Sequence, residues 1–260
     1  IRQLARARAA GSIRFQTVLV VDRDPDCRVA RLVEAIDRGD VDGMREHGWA
    51  MHRDDAIVER DDRVDIYRGA PIRFVCVAWE PFFQRWFGDA LAHGAEHPRD
   101  AVVPSPLMPN LLADWVTTRL VAHRPAVAAV SRVPLSAPPV TPWRRTGTDG
   151  SHYASFATWM CPINCIEPAR CPETRGPRDW TMPVAVRLAA AEAAERGTPF
   201  DVIALFTTTH RVFGVGMFDA TDAIAADAAI KATAGLAVLR VLVASVSHCH
   251  GALAELESRR

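Results

Sequence analysis

The sequence predicts an α/β fold: a Rossmann-like, mostly parallel sheet, its first strand and glycine-rich turn expected ahead of residue 1, then a second α/β half around a cysteine-rich loop. Three observations carry this expectation. Buried-strand runs alternate with helical patterns along the chain, the order that builds parallel sheets. An early strand run, 17–22, ends in an acid, Asp22, where a dinucleotide-binding unit places the carboxylate that meets the ribose hydroxyls. Three of the six cysteines, Cys161, Cys165 and Cys171, fall within eleven residues.

In order, residues 1–10 read as a helix tail ending near Gly11, already helical where the chain opens without methionine. The strand 17–22 turns through Arg23, Asp24 and Pro25 into a helix over 26–38. Asp22 and Arg23 are cofactor-binding candidates, while Asp22 and Asp24 as caps of the next helix are the plainer alternative. The stretch 54–65 is charged and solvated. A strand over 72–78 holds Cys76 as a small core residue. The aromatics Trp79, Phe82, Phe83, Trp86 and Phe87 have the spacing of a helix face and predict core or a subunit contact. Residues 100–109 read as a strand leaving the sheet through a proline loop, with Pro104 and Ser105 as further cofactor-binding candidates because ligands collect at the carboxyl ends of parallel strands. A helix over 110–122 takes Asn110 as N-cap. The Pro-, Thr- and Gly-rich stretch 134–150 separates a nucleotide-binding half, 1–133, from a cysteine-rich half, 151–260. That second half continues with a helix over 183–196 closed by Gly197, a strand over 201–206, and a polar loop running into Gly214-Val215-Gly216. A helix over 221–234, a strand over 236–244 and a terminal helix over 252–258 complete it.

The chemistry concentrates in C-x3-C-x5-C. Each of Cys161, Cys165 and Cys171 is followed by proline at once or within three residues, which predicts a stiff loop whose side chains converge. Cys249, flanked by His248 and His250 just before the expected terminal helix, sits where a helix N-terminus favours a thiolate. The expected metal ligands are Cys161, Cys165, Cys171, Cys249 and His250, a set suited to tetrahedral zinc or, with four thiolates, to an iron–sulfur cluster. Redox or persulfide-type thiol chemistry, and an inert structural loop, are the alternatives. Cys249, His248 and Glu167 are the catalytic candidates, Glu167 as general acid or base or as an acceptor behind a ligand. Arg170, Arg175 and Arg178 form a small basic cluster suited to phosphate or carboxylate, or simply a solvated face. The Gly214–Gly216 pair reads as a turn more readily than as a phosphate loop.

Lysine plus arginine and aspartate plus glutamate both number 31, and 49% of residues are hydrophobic, so no general attraction to nucleic acid and no disorder is indicated. No apolar run reaches the roughly 18 residues of a membrane span. The expected location is cytoplasmic, and the expected partners are a small-molecule ligand or substrate and a second copy of the chain.

The strand end Val-Val-Asp-Arg-Asp-Pro, the loop Val-Val-Pro-Ser-Pro-Leu-Met-Pro, the segment Trp-Met-Cys-Pro-Ile-Asn-Cys-Ile-Glu-Pro-Ala-Arg-Cys-Pro and the ending His-Cys-His-Gly together resemble a family of cytosolic bacterial and archaeal proteins that join a TrkA-type nucleotide-binding half to a cysteine-rich half. The resemblance implies the two-part architecture and the importance of the cysteines, and it brings no substrate. The function expected from all this is an oxidoreductase with NAD(P) or another adenine nucleotide on Asp22 and a zinc or iron–sulfur centre. The alternative is a regulatory or ligand-sensing module whose zinc is structural.

Overall fold

A computed structural model of the chain describes residues 1–48, 64–92, 100–105, 108–125, 129–158, 161 and 165–259. The fold is mixed α/β and divides into two compact units, Ile1–Arg85 and Trp86–Arg260. Most of the charged stretch expected at 54–65 lies outside the described residues.

In the first unit, α1 (Arg2–Ala9) precedes β1 (Val18–Asp22), α2 (Arg28–Arg38), α3 (Val41–His47), a short 3-10 turn and β2 (Ile72–Cys76). β1 and β2 pair in parallel, with Val18 opposite Ile72 and Asp22 opposite Cys76. Helix α2 buries Val33 against Ala70 and Ile72, and turns Leu32 and Ala35 toward Ala5, Met44 and Tyr67. Cys76 is a correction: as the last residue of its strand it is exposed, and its thiol points to the Arg23 carbonyl at 3.7 Å.

α4 (Trp79–Ala92) leads into the second unit, which continues with β3 (Ala101–Val102), α5 (Leu111–His123), β4 (Ala129–Val133), β5 (Trp143–Thr146), β6 (His152–Ser155), α6 (Met182–Glu195), β7 (Val202–Thr207), β8 (Thr209–Val212), β9 (Val215–Asp219), α7 (Ala220–Ala232), β10 (Val238–Val246) and β11 (His250–Arg259). The main sheet runs β5-β6-β11-β10-β7, with β4 also paired to β11. β7 and β10 are parallel, whereas β10–β11, β11–β6, β11–β4 and β5–β6 are antiparallel. Strands β3, β9 and β8 form a small antiparallel sheet.

Side-chain alternation gives the main sheet two apolar faces. Met182, Val186 and Ala190 of α6 pack on Leu242, Ala244, Val246 and Leu253, with Leu205 beside them. Phe206 points the other way and meets Trp115 of α5, 6.2 Å between ring centroids. Helices therefore cover both faces of the sheet.

Five expectations are corrected here. The terminal segment is a strand, β11: its Ala-, Leu- and Glu-rich sequence favours a helix, but it pairs with β10 along its whole length and with β6 and then β4 on the other side, so tertiary pairing overrides propensity. Its buried Glu255, 2% exposed, is tolerated because Arg240 donates to it at 2.7 Å and the Ser136 amide at 2.8 Å. The second half is consequently a largely antiparallel sheet, not a parallel one. Residues 134–150 are not a boundary, since β5 within them belongs to the main sheet. β3 is antiparallel to β9, so the parallel-strand argument for a ligand at Pro104 and Ser105 fails. Asn110 stands at the start of α5, yet its amide bonds Asp149 at 2.6 Å rather than the helix.

The contact of α6 with the sheet yields a stability prediction. Leu253→Ala, at a site 1% exposed, should lower unfolding free energy in urea by about 2–5 kcal/mol. Leu188→Ala on the outer side of α6, at a site 59% exposed, should change it by less than about 0.5 kcal/mol. Equal effects would refute the placement of α6.

Candidate thiol site

Strand direction assembles this site. β6, β7 and β10 all run the same way, so the segments that follow them leave from one end of the sheet. Those segments are the cysteine loop after Ser155, the link to β8 after Thr207, and the tight turn Ser247-His248-Cys249 after Val246. At the last of these the Ser247 amide donates to the His250 carbonyl at 2.8 Å, and the Ser247 hydroxyl oxygen accepts the amides of Cys249 and His250 at 3.3 Å each. The turn is tied to its neighbours by the Phe156 amide on the Cys249 carbonyl, 3.0 Å, and by the first amide of α6, Met182, on the His248 carbonyl, 2.9 Å. The chain from Ala169 to Arg178 folds back on itself: Arg178 donates its amide to Ala169 at 2.8 Å and Cys171 its amide to Gly176 at 2.9 Å.

Five side-chain hydrogen bonds bring loop and turn together. Glu167 accepts the Ser247 hydroxyl at 2.6 Å and the Cys249 amide at 3.1 Å on one oxygen, and the His248 amide at 3.3 Å on the other. His210 of β8 lies 3.4 Å from that second oxygen. The Cys249 sulfur, 2% exposed, accepts Nε of Arg178 at 3.0 Å and Nε1 of Trp180 at 3.3 Å. Trp180 is itself stacked on Phe156, 5.7 Å between ring centroids. Arg178 also donates to the Pro168 carbonyl.

Ionisation follows from this geometry. Burial alone would raise the Glu167 carboxyl, but His210, the Ser247 hydroxyl and the Cys249 amide outweigh it and hold it down at about 2. Burial works to lower the Arg178 guanidinium, and the nearby thiols of Cys249, Cys165 and Cys171 reverse that and push it up. Burial pushes the Cys249 thiol up, more than Trp180 and Arg178 lower it, with the Glu167 charge adding to the rise. For Cys171 the balance falls the other way: against burial, the Thr174 amide and hydroxyl, the Glu173 amide and Arg178 bring the thiol below its ordinary value. Burial raises Cys161, and the neighbouring Cys165 and Cys171 raise it further. The three loop thiols thus share one electrostatic neighbourhood, and Arg178 links it to Cys249.

Several sequence-based roles change. Cys249 stands in a turn before a strand, not at a helix N-terminus, so no helix dipole lowers it. The His248 side chain is exposed at the tip, and the backbone alone contributes. Nε2 of His250 donates to the Thr158 carbonyl at 2.6 Å, which removes that nitrogen as a ligand. Glu167, ionised and fully engaged by donors, is not poised as a general acid or base. Zinc or a cluster needs several donors around one point, and among the described residues no three His, Cys, Asp or Glu side chains converge to hold a metal ion. These residues as placed do not fit a metal. Cys161, Cys165 and Cys171 are all free thiols, as are Cys27, Cys76 and Cys249. Asp22 accepts the Asp24 amide at 3.0 Å within a local turn, and Arg23 is exposed beside it; the plainer expectation that Asp22 and Asp24 cap the next helix is corrected too, since Cys27 stands at the N-cap of α2 and no side chain caps it.

The sequence pattern alone does not mark Trp180, Ser247 and His210 as site residues. One signal existed for the first: Arg178-Asp179-Trp180 in an extended segment puts its first and third side chains on one side.

Fold and site define a mixed α/β domain with a thiol-rich loop laid over the ends of three co-directional strands. Residues 112–259 match the family AF_1314_C, described as "Uncharacterized protein, C-terminal domain", and the chain belongs to this family. No curated protein and no solved structure matches the chain. Among the described residues no helix is long and apolar enough to cross a membrane.

The depressed Glu167 carboxyl predicts an acid linkage. In the unfolded chain a glutamate titrates at about 4.3, so its stabilisation is complete above that pH and is lost as pH falls toward the folded value of about 2. The difference in unfolding free energy between wild type and Glu167→Gln should therefore shrink on acidification from pH 5 to pH 2. A difference constant over that window would contradict the assignment.

Proposed function

We propose that the chain is a thiol-dependent oxidoreductase in which Cys165 and Cys171 form an exchanging pair. The observation that carries this is a single guanidinium, Arg178, near three thiols from two chain segments, with Cys171 biased toward thiolate. In the oxidised protein a substrate thiolate attacks the partly exposed Cys165 sulfur of a Cys165–Cys171 disulfide. The S–S bond breaks, its electron pair leaves on Cys171, and a mixed disulfide forms on Cys165. A second substrate thiol, losing its proton, attacks the substrate sulfur of that mixed disulfide. It releases reduced Cys165 and a substrate disulfide, so two electrons pass from two thiols to the protein. A thiol that leaves as a stabilised anion leaves faster and makes its disulfide more oxidising. Thr174, Glu173 and Arg178 would stabilise that leaving thiolate.

Equilibration with reduced and oxidised glutathione, followed by disulfide mapping by mass spectrometry, tests this. A Cys165–Cys171 disulfide should form reversibly and vanish in Cys171→Ser. Absence of any disulfide involving Cys171, or stoichiometric zinc or iron retained after anaerobic purification, would overturn it.

A second reading belongs to the first unit. The parallel β1 and β2 flanking α2, with Asp22 at the carboxyl end of β1, support a Rossmann-like half that takes an adenine nucleotide such as NAD(P). The Asp22 carboxylate has one oxygen on the Asp24 amide, and its other oxygen suits a ribose hydroxyl. Calorimetric titration with NAD+ and NADPH should show binding that Asp22→Asn weakens by about tenfold, the effect of roughly 1.4 kcal/mol from one charge-assisted hydrogen bond. No heat with either nucleotide would contradict this reading.

A further inference from the structure

We infer that Glu167 is a positioning residue: a carboxylate that pins the cysteine loop to the β10–β11 turn and so holds Cys249 against Arg178 and Trp180. The inference rests on geometry, and it deepens the thiol reading by naming what keeps Cys249 out of the exchange.

Glu167 has φ of +52°, in the left-handed region that a side chain disfavours and glycine enters freely. Were backbone shape the sole requirement, glycine would serve better at this position. The side chain present instead accepts three hydrogen bonds from the Ser247–Cys249 turn and faces His210, and it is 11% exposed. Strained backbone persists where its surroundings over-determine it, and here the surroundings are donors aimed at one carboxylate. The next residue is tied as well, because Arg178 donates to the Pro168 carbonyl while its Nε reaches the Cys249 sulfur. Loop, turn and β8 thus converge on residues 167 and 168. The consequence is a division of labour among the thiols. Cys161 and Cys165 are partly exposed and available, whereas Cys249 is sealed by contacts that Glu167 organises.

Residue-resolved alkylation tests this on the full reduced chain: brief iodoacetamide pulses at neutral pH, then peptide mass spectrometry of each cysteine. In Glu167→Gly, which relieves the backbone and removes the carboxylate, Cys249 should label at least about tenfold faster than in wild type, the scale expected when hydrogen bonds to a charged group are lost. Cys27 and Cys76 in the other unit should not change. Glu167→Gln keeps the size and one acceptor oxygen for the Ser247 hydroxyl, and should restore part of the protection. Ser247→Ala, which leaves Glu167 in place but removes its shortest bond, should raise Cys249 labelling several-fold. Cys249 labelling at the wild-type rate in folded Glu167→Gly overturns the inference. Should that variant not melt cooperatively, wild-type labelling in Ser247→Ala overturns it equally. A chain that forms no Cys165–Cys171 disulfide yet shows this pattern refutes the exchange reading and leaves the positioning role intact.

Discussion

A guanidinium placed among thiols is the interaction on which the candidate site depends. Arginine keeps its charge when partly buried, and among the described residues Arg178 makes no ion pair with a carboxylate. Its hydrogen-bonded partners are a thiol and a carbonyl, and Cys165 and Cys171 lie nearby. Two unit charges about 4 Å apart interact by about 4 kcal/mol at an effective dielectric of 20, as much as one to three hydrogen bonds to a charged group. Such a cation can therefore decide which sulfur ionises first. The decision differs between two buried sulfurs because their other neighbours differ. Cys171 is ringed by the Thr174 and Glu173 donors, whereas Cys249 has the Glu167 carboxylate close by.

The second constraint is topological. The loop and the Ser247–Cys249 turn are about eighty residues apart in sequence, yet they meet because β6 and β10 run in the same direction on either side of the antiparallel β11. A mostly antiparallel sheet thereby does what a parallel sheet is known for, collecting several strand exits at one end. β11 makes this possible. It separates β6 from β10, starts at the site with His250, and carries no loop of its own there.

Much of the local structure was legible in the sequence, because strands such as β1, β7 and β10 are dense apolar runs and helices such as α2 and α6 end at Gly39 and Gly197, both in the left-handed conformation. The identity of β11 was not. Its residues carry helical propensity, and the information that overrides it lies in the edges of β10, β4 and β6, far off in the chain. That one segment decides the electrostatics at the site: a helix after Cys249 would have lowered its thiol, and the strand that is there leaves burial and Glu167 to raise it. Cys161, Cys165 and Cys171 announced the site by spacing, and Arg178 was visible as part of a basic cluster. That it would pair with sulfur rather than phosphate was not, because the partner, Cys249, comes from a distant turn. Glu167 was marked as an acid–base candidate, and the donors that keep it ionised come from Ser247 and from strand β8, which the sequence presents as a polar loop.

The order in which the sulfurs ionise is the most direct measure of this account. With 13C-labelled cysteine, the β-carbon shifts of Cys171 and Cys249 followed against pH in wild type and Arg178→Gln would report it. Cys171 should ionise at lower pH than Cys249, and removal of the guanidinium charge should raise both. Ionisation of Cys249 ahead of Cys171, or a variant in which neither sulfur moves, would contradict the claim that Arg178 sets the chemistry of this site.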